Sequence, residues 1–116
     1  MVTDYWQRYD DAEVTEIAPG IERRIIKTEK LMLVVVDFYD GPTKAADPFH
    51  SHYHEQVSFV AEGELYLFAG KNEPVHLKKG DMFAMQPDVP HTIQRLTEHV
   101  RIVDCFTPLR EDFITE

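Results

Sequence analysis

Closely spaced turn signals divide this chain into short apolar runs, and that spacing is what most restricts its fold. From Ile21 onward several of the runs are rich in valine and isoleucine, which favour strands over helices. The breaks between them contain glycine, proline or charged residues, as tight turns do. The predicted strands cover 21–26, 31–40, 50–61, 64–70, 73–78, 82–86, 90–96 and 99–107.

Many short strands at this spacing predict an all-β sandwich or barrel. The length of 116 residues is sufficient for one compact domain. We expect residues 1–20 to form an N-terminal arm that ends at the Pro19–Gly20 turn, and residues 21–116 to form the domain. A short helical turn is expected near the C-terminus, after Pro108.

The charge and composition exclude several classes of protein. A formal net charge of −9 argues against nucleic acid or an anionic membrane surface as partner. No apolar run is long enough to span a membrane, and the acidic, aromatic N-terminus does not resemble a secretory signal. Cys105 is the single cysteine, so no internal disulfide can form. These features predict a cytoplasmic protein.

Histidines are concentrated between residues 50 and 56. Side chains on a strand alternate between its faces, so His50, His52 and Gln56 are predicted to share one face. His91 is the obvious fourth ligand from elsewhere in the chain. Three neutral imidazoles and an amide oxygen suit a divalent transition metal such as Zn, Fe, Ni, Mn or Cu. The alternative is that the tract has only a structural role.

Two spaced motifs carry a family resemblance. H-x-H-x3-Q-x6-G runs from His50 to Gly63, and G-x7-D-x2-H runs from Gly80 to His91. Together they resemble the two motifs of the cupin superfamily, and the resemblance extends over residues 31–107. It implies a single-domain double-stranded β-helix, or jelly-roll barrel, that is often dimeric. It also implies one divalent transition metal (Zn, Ni, Fe or Mn) with four ligands: His50, His52, Gln56 and His91.

The chain departs from the superfamily pattern at several positions. Gln56 stands where glutamate is usual, and Gln86, Asp88 and Arg95 replace the usual proline, glycine and asparagine. A neutral amide leaves a bound metal more cationic than a carboxylate would, and therefore a stronger Lewis acid. This change favours polarisation of a substrate oxygen over chemistry with molecular oxygen.

The C-terminal run from Asp104 to Phe113 has the form D-x-F-x-P-x-R-x-D-F. With the histidine tract, it resembles the small single-domain cupins of pectin and alginate degradation. Those proteins convert cyclic 4,5-unsaturated uronates into linear, ketonised sugars. Position by position, Asp104, Phe106 and Arg110 match the family's site residues outside the metal. The resemblance implies a metal-dependent enzyme that forms a homodimer and acts on a small anionic sugar-like substrate.

Each implied residue suits a step of that chemistry. A guanidinium can hold the substrate carboxylate through two hydrogen bonds, which suits Arg110, with Arg95 as the alternative. A carboxyl group such as Asp104 can move the protons, and a water at the metal is the alternative. Asp104 shares strand parity with Ile102 and Phe106, so it is expected inside the barrel. A salt bridge from Asp104 to Arg95 or Arg110 is its structural alternative.

The other histidines are expected to have lesser roles. His54 shares parity with the ligands, so it is predicted to support them or to substitute for one. His76 and His99 lie beside turns and are expected to be solvated. Three rival functions stay open: a non-haem iron or nickel dioxygenase, a polyketide cyclase-like cupin, and a ligand sensor without catalysis.

Overall fold

The computed structural model describes residues 5–114, so residues 1–4 of the predicted arm and 115–116 of the predicted domain lie outside the described residues. Within that range no helix is long and apolar enough to cross a membrane. A 3₁₀ turn at Tyr9–Asp11 precedes nine strands and a short helix. They are β1 (Thr15–Ala18), β2 (Ile21–Lys27), β3 (Met32–Phe38), β4 (Glu55–Glu62), β5 (Glu64–Ala69), β6 (Val75–Lys78), β7 (Met82–Met85), β8 (His91–Arg95), β9 (Val100–Thr107) and α1 (Glu111–Ile114).

The strands form two antiparallel sheets. The larger has the order β1-β2-β3-β9-β4-β7, and the smaller has the order β6-β5-β8. β9 pairs with both β3 and β4, so the last strand of the chain lies in the middle of the larger sheet. The all-β jelly-roll prediction is confirmed.

Inward-facing residues of β3 and β9 build much of the apolar interior. Met32, Val34 and Val36 alternate with more exposed neighbours along β3, as expected for a strand with one buried face. Ile102 and Phe106 do the same on β9. Each such side chain contributes about 1.5–3 kcal/mol when fully buried. This apolar interior leaves the space next to the histidine tract for polar side chains.

Two features of the strands differ from the sequence prediction. β4 begins at Glu55 rather than at residue 50, because the main chain just before Glu55 bonds to a loop instead of to a neighbouring strand. The N–H of Asp88, for example, donates to the carbonyl of His52 at 2.7 Å. Strand β1 was not predicted, and its residues Thr15–Ala18 lie within the predicted arm and pair with β2. Because residues 51–54 form a loop, the strand parity used to align His50 and His52 does not apply to them.

A buried carboxylate holds the segment around Tyr9 against the outer face of the larger sheet. Asp37 is 0% exposed, and it accepts hydrogen bonds from the hydroxyl of Tyr9 (2.5 Å) and from Nε of Arg101 (2.7 Å). His99 lies 2.7 Å from Asp37 and stacks on Tyr39. The prediction that His99 is solvated was therefore wrong, because its imidazole is the partner of a buried charge. Burial alone would raise the pKa of Asp37, but these hydrogen bonds and the charge of Arg101 outweigh it and lower the pKa below its ordinary value.

Candidate metal centre

Three histidines meet at the mouth of the barrel. The possible ligand atoms of His50, His52 and His91 all lie within 4.8 Å of one another. His91 is buried at the start of β8, His52 is half-buried and His50 is exposed, so the cluster opens to solvent on one side. Two main-chain hydrogen bonds bring the strand and the loop together, from the N–H of His50 to the carbonyl of His91 (3.0 Å) and in return (2.9 Å).

The hydrogen bonds of His91 leave one ring nitrogen free for a metal. Its Nδ1 lies 2.8 Å from the carbonyl oxygen of Val89. Because a carbonyl can only accept, Nδ1 carries the proton and Nε2 presents a lone pair. That Nε2 is buried and has no hydrogen-bond partner. A buried acceptor without a partner costs about 1–3 kcal/mol, and a cation at this point would remove that cost.

His52 and Gln56 show the same arrangement. Nδ1 of His52 donates to the carbonyl of His54 at 3.1 Å, so its Nε2 presents a lone pair. Oε1 of Gln56 faces that Nε2 at 3.1 Å, and the amide nitrogen of Gln56 donates away from it, to Oγ of Ser58 at 2.9 Å. Two acceptor atoms that face each other repel unless a cation or a proton lies beside them. The donor set and its orientation therefore fit a metal ion.

Electrostatics keep two of the imidazoles in the form that binds metals. Loss of water around the ring lowers the pKa of His50 to about 4, although part of the side chain stays exposed, and repulsion from His91 and His52 acts in the same direction. Burial and then the charge of Arg110 lower the pKa of His52. Both imidazoles are neutral at pH 7, and a metal ion need not displace a proton from either.

Asp104 lies beside this cluster and is connected to it through Gln56. It projects inward from β9 next to Ser58 of β4, as its predicted parity requires. Its Oδ1 accepts hydrogen bonds from Oγ of Ser58 (2.5 Å) and from Nε2 of Gln56 (3.3 Å). Burial raises the pKa of Asp104 to about 6, against the lowering effect of these bonds and of Arg110. The carboxyl group of Asp104 therefore titrates close to neutral pH, where it can both accept and donate a proton efficiently.

Neither predicted arginine forms a salt bridge with Asp104 in the part of the chain that the structure describes. Arg95 is 3% exposed and donates from Nε and Nη2 to Asp40 (3.2 and 2.7 Å) and from Nη1 to Asp47 (2.5 Å). All of its nitrogens are thus engaged, and it holds the loop that leads to His50. The structural alternative for Asp104 is not found, because its hydrogen bonds come from Ser58 and Gln56.

Arg110 follows β9 and packs over Phe106, the aromatic residue beside His52. Its Nε and Nη2 donate to Asp112 at 3.0 and 2.8 Å, and the group lies over the rings of Phe113 (4.2 Å) and Phe106 (5.1 Å). Phe106 lies between the guanidinium and His52, and the positive charge of Arg110 lowers the pKa of His52 and opposes the rise in the pKa of Asp104. A guanidinium has two edges that can bind a carboxylate, and Asp112 occupies the edge formed by Nε and Nη2.

Phe106 and His54 complete the surroundings. Phe106 is buried, and its ring centre lies 5.7 Å from that of His52, so it forms an apolar wall beside the histidines. His54 is buried but is not a member of the three-histidine group. Sequence reasoning missed Ser58, which shares inward parity with Gln56 on β4, and that parity could have identified it. It also missed Asp112 as the partner of Arg110, although the C-terminal motif contains this aspartate.

A β-barrel of two antiparallel sheets with a histidine cluster at its mouth defines the class of this protein. The chain belongs to the cupin family, and the family described as "Cupin domain" matches residues 38–106. It is 33% identical over 107 residues to the pectin degradation protein KdgF of Dickeya dadantii, and the match covers 90% of this chain and 94% of that protein. The solved structure of KdgF from Halomonas sp. has a TM-score of 0.80 and 30% sequence identity over 91% of this chain and 96% of that one.

A second group of relatives is named for a different activity. The 3-hydroxyanthranilate 3,4-dioxygenase of Burkholderia cenocepacia is 31% identical over 93 residues, which is 78% of this chain. The chain spans about half the length of that relative, since the match covers 51% of it.

Proposed function

We propose that this protein is a metal-dependent enzyme that converts a cyclic 4,5-unsaturated uronate, as released from pectin or alginate, into its linear keto form. The observation that carries the proposal is the position of Asp104 and Arg110 beside the histidine cluster, in a chain similar to a pectin degradation protein over nearly its whole length. A metal, a carboxyl group with a raised pKa and a guanidinium are the three groups that this reaction requires.

We assign the metal to His50, His52, Gln56 and His91, with one divalent ion held among them. The support is the set of lone pairs that converge there: the partnerless Nε2 of His91, and Nε2 of His52 facing Oε1 of Gln56. When bound, the ion supplies Lewis acidity that polarises a ring or hydroxyl oxygen of the substrate.

The remaining chemistry is assigned to side chains of this chain. Arg110 holds the substrate carboxylate through its Nη1 and Nη2 edge. Asp104 takes the proton of the anomeric hydroxyl, so that the C1 aldehyde forms as the bond between C1 and the ring oxygen breaks. The electron pair left on the ring oxygen gives an enolate, and Asp104 returns the proton to C4, so that C5 becomes a ketone. Phe106 covers one side of the site and excludes water from it. The step is an isomerisation, and no atom is gained or lost.

The rival function is an oxygen-dependent cleavage like that named for the dioxygenase relatives. The observation in its favour is the 31% identity to the Burkholderia cenocepacia enzyme. Against it stands Gln56, whose neutral amide provides less electron density for an oxidised metal than a carboxylate does. Oxygen consumption with a small aromatic substrate would distinguish the two functions.

We also propose the cellular setting. The protein acts in the cytoplasm as a homodimer on a small anionic sugar-like substrate, with no nucleic acid or membrane as partner. The domain at 21–116 follows an arm at 1–20, and strand β1 of that arm is hydrogen-bonded to β2 of the domain. The single cysteine supports the cytoplasmic location, and the net charge of −9 supports the absence of a nucleic-acid or membrane partner.

The test follows the absorbance of the substrate double bond with purified, metal-loaded protein and an unsaturated galacturonate monomer. We expect faster loss of absorbance than without enzyme, and a loss of at least about a hundredfold in rate for Asp104→Asn at unchanged metal content. His76→Asn, on the exposed strand β6, is the matched control and should keep the wild-type rate. A fully metallated wild-type protein that gives no acceleration would overturn the proposal.

A further inference from the structure

We propose that His54 is a positioning residue that fixes Arg110 relative to the metal-binding histidines. The inference rests on the proposed function, because Arg110 matters as a carboxylate-binding group only if the substrate is bound at two points. His54 acts through other residues and touches neither the metal nor the substrate.

His54 bonds to both halves of the site at once. Its main-chain carbonyl accepts the hydrogen bond from Nδ1 of His52, at 3.1 Å, and so selects the tautomer that presents Nε2 to the metal. Its side-chain Nε2 donates to the carbonyl of Leu109, the residue before Arg110, also at 3.1 Å. The residue is 6% exposed, so little water competes for this bond.

The hydrogen bond from His54 to Leu109 lies just beyond the end of the pairing between β4 and β9. The ladder between β4 and β9 ends at the pair Glu55 and Thr107. The next residue, Pro108, has no N–H with which to extend it. Beyond that point the side chain of His54 provides the connection that the backbone cannot.

The other bonds of Arg110 hold it less firmly to the ligand loop. Its main-chain N–H points to Sδ of Met32 at 3.2 Å, and a thioether is a weak acceptor. Asp112, its carboxylate partner, has a side chain that is 59% exposed and lies only two residues further on, so it moves together with Arg110. Neither hydrogen bond fixes the guanidinium relative to His50 or His52. Its remaining link to them is non-directional packing over Phe106, whose ring centre lies 5.7 Å from that of His52.

The unsatisfied Nδ1 of His54 is a second, independent indication that this position requires a side-chain donor. Nδ1 is buried and has no hydrogen-bond partner. An apolar side chain would fill the space beside the ring of Tyr53, which lies 4.1 Å away, without that penalty. The imidazole therefore contributes its donor, Nε2–H, at this position. Two-point binding needs such a donor, because a substrate held at two points binds more weakly when one point moves relative to the other.

Two amides that differ by one methylene provide the matched variants. In His54→Gln the amide nitrogen reaches the place of Nε2 and can still donate to Leu109. In His54→Asn it reaches only the place of Nδ1 and cannot. His76→Asn, an exposed position with an ion pair to Glu64, controls for the loss of an imidazole elsewhere.

The first readout does not depend on activity. The full chain is loaded with Co²⁺, and the paramagnetic effect on the Nε–H signal of Arg110 is measured by NMR. We expect one defined effect in wild type, His54→Gln and His76→Asn, and a changed or averaged effect in His54→Asn. An unchanged effect in His54→Asn would overturn the proposal. So would a wild-type histidine ¹⁵N spectrum that places the His54 proton on Nδ1, and that measurement needs no variant to fold.

The second readout is kinetic. Carboxylate binding acts equally on the ground state and the transition state, so its loss raises KM. We expect His54→Asn to raise KM about tenfold with kcat changed less than about threefold, and His54→Gln to stay within about threefold of wild type in both. Equal values for the two amides, or a loss confined to kcat or to metal content, would count against positioning. If wild type does not act on uronates, the proposed function fails while the Co²⁺ measurement still decides the role of His54.

Discussion

The amide nitrogen of Gln56 lies 3.3 Å from Oδ1 of Asp104, so this side chain faces His52 with its oxygen and Asp104 with its nitrogen. Ser58 strengthens the link, because it accepts from Gln56 and donates to Asp104. The carboxyl group that we assign to proton transfer is thus oriented by the amide that we assign to the metal.

Gln56→Glu tests this link. A carboxylate at this position cannot donate to Asp104, and its negative charge would raise the pKa of Asp104 further. We expect metal binding to be retained and the rate at pH 7 to fall at least about tenfold, with partial recovery at higher pH. The pH–rate profile of the variant is the measurement, with Gln86→Glu, an exposed position after β7, as the control. A profile that coincides with that of wild type would contradict the link.

Asp104→Asn should stabilise the metal-free protein. Burial raises the pKa of Asp104 to about 6, above the ordinary value of 3.8. The folded state therefore binds this proton more tightly than the unfolded state, and ionised Asp104 opposes folding above pH 6. We expect an increase of about 1–2 kcal/mol in the free energy of unfolding at pH 7, shrinking as the pH falls towards 4. Urea unfolding in the presence of a chelator measures this free energy. A variant that is less stable than wild type at pH 7 would show that ionised Asp104 does not destabilise the fold.

Arg110→Lys should weaken substrate binding. An ammonium can neither hold a carboxylate through two parallel hydrogen bonds nor pair in the same way with Asp112. We expect KM to rise about tenfold to a hundredfold, with metal content unchanged. Steady-state kinetics beside metal analysis give the answer, with Arg8→Lys, an exposed arginine over Trp6, as the matched change. A KM that does not change would assign carboxylate binding to another group.

Asp37→Asn should remove part of the acid sensitivity of the fold. The pKa of Asp37 is lower in the folded protein than its ordinary value, so its contribution is fully present above the pKa of an unfolded aspartate, about 3.9. That contribution is lost as the pH falls through the still lower folded pKa. We expect the variant to lose about 3 kcal/mol at pH 7, because Arg101 and Arg24 lose a buried partner, and to show a flatter decline below about pH 4.

Denaturant unfolding at several pH values measures this effect. Asp10→Asn, at an exposed position of the 3₁₀ turn, is the control and should unfold like wild type at every pH. Parallel declines for wild type and Asp37→Asn would show that Asp37 is not the source of the acid sensitivity.

The strands could be predicted because their signals are local. The valines of β3 favour an extended strand, and Gly63 has φ +79°, a conformation that glycine adopts without strain, so both signals are local. The spacing of His50 and His52 also predicted that they lie together. It did so for the wrong reason, because the loop at 51–54 is folded by bonds to residues more than thirty positions away in the sequence.

Partner choice among like residues could not be predicted. Arg95 and Arg110 are the same residue type, and both lie after a motif residue of the barrel. Only the fold shows that Asp40 and Asp47 engage Arg95, whereas Arg110 pairs with a neighbour in its own turn. Pairs of this kind depend on loop paths, which are not determined by strand periodicity.

The paired main-chain bonds between His50 and His91 have a consequence for metal identity. They hold two imidazoles at a set separation before any ion arrives, so chelation removes little further freedom from the chain. Such a rigid pair binds any borderline ion that accepts nitrogen ligands, in the general order of their affinities. Zinc, nickel and iron would then compete through their free concentrations. The identity of the ion in a purified sample would then depend on the metals supplied by the growth medium and the affinity resin as much as on the ligands that the sequence provides.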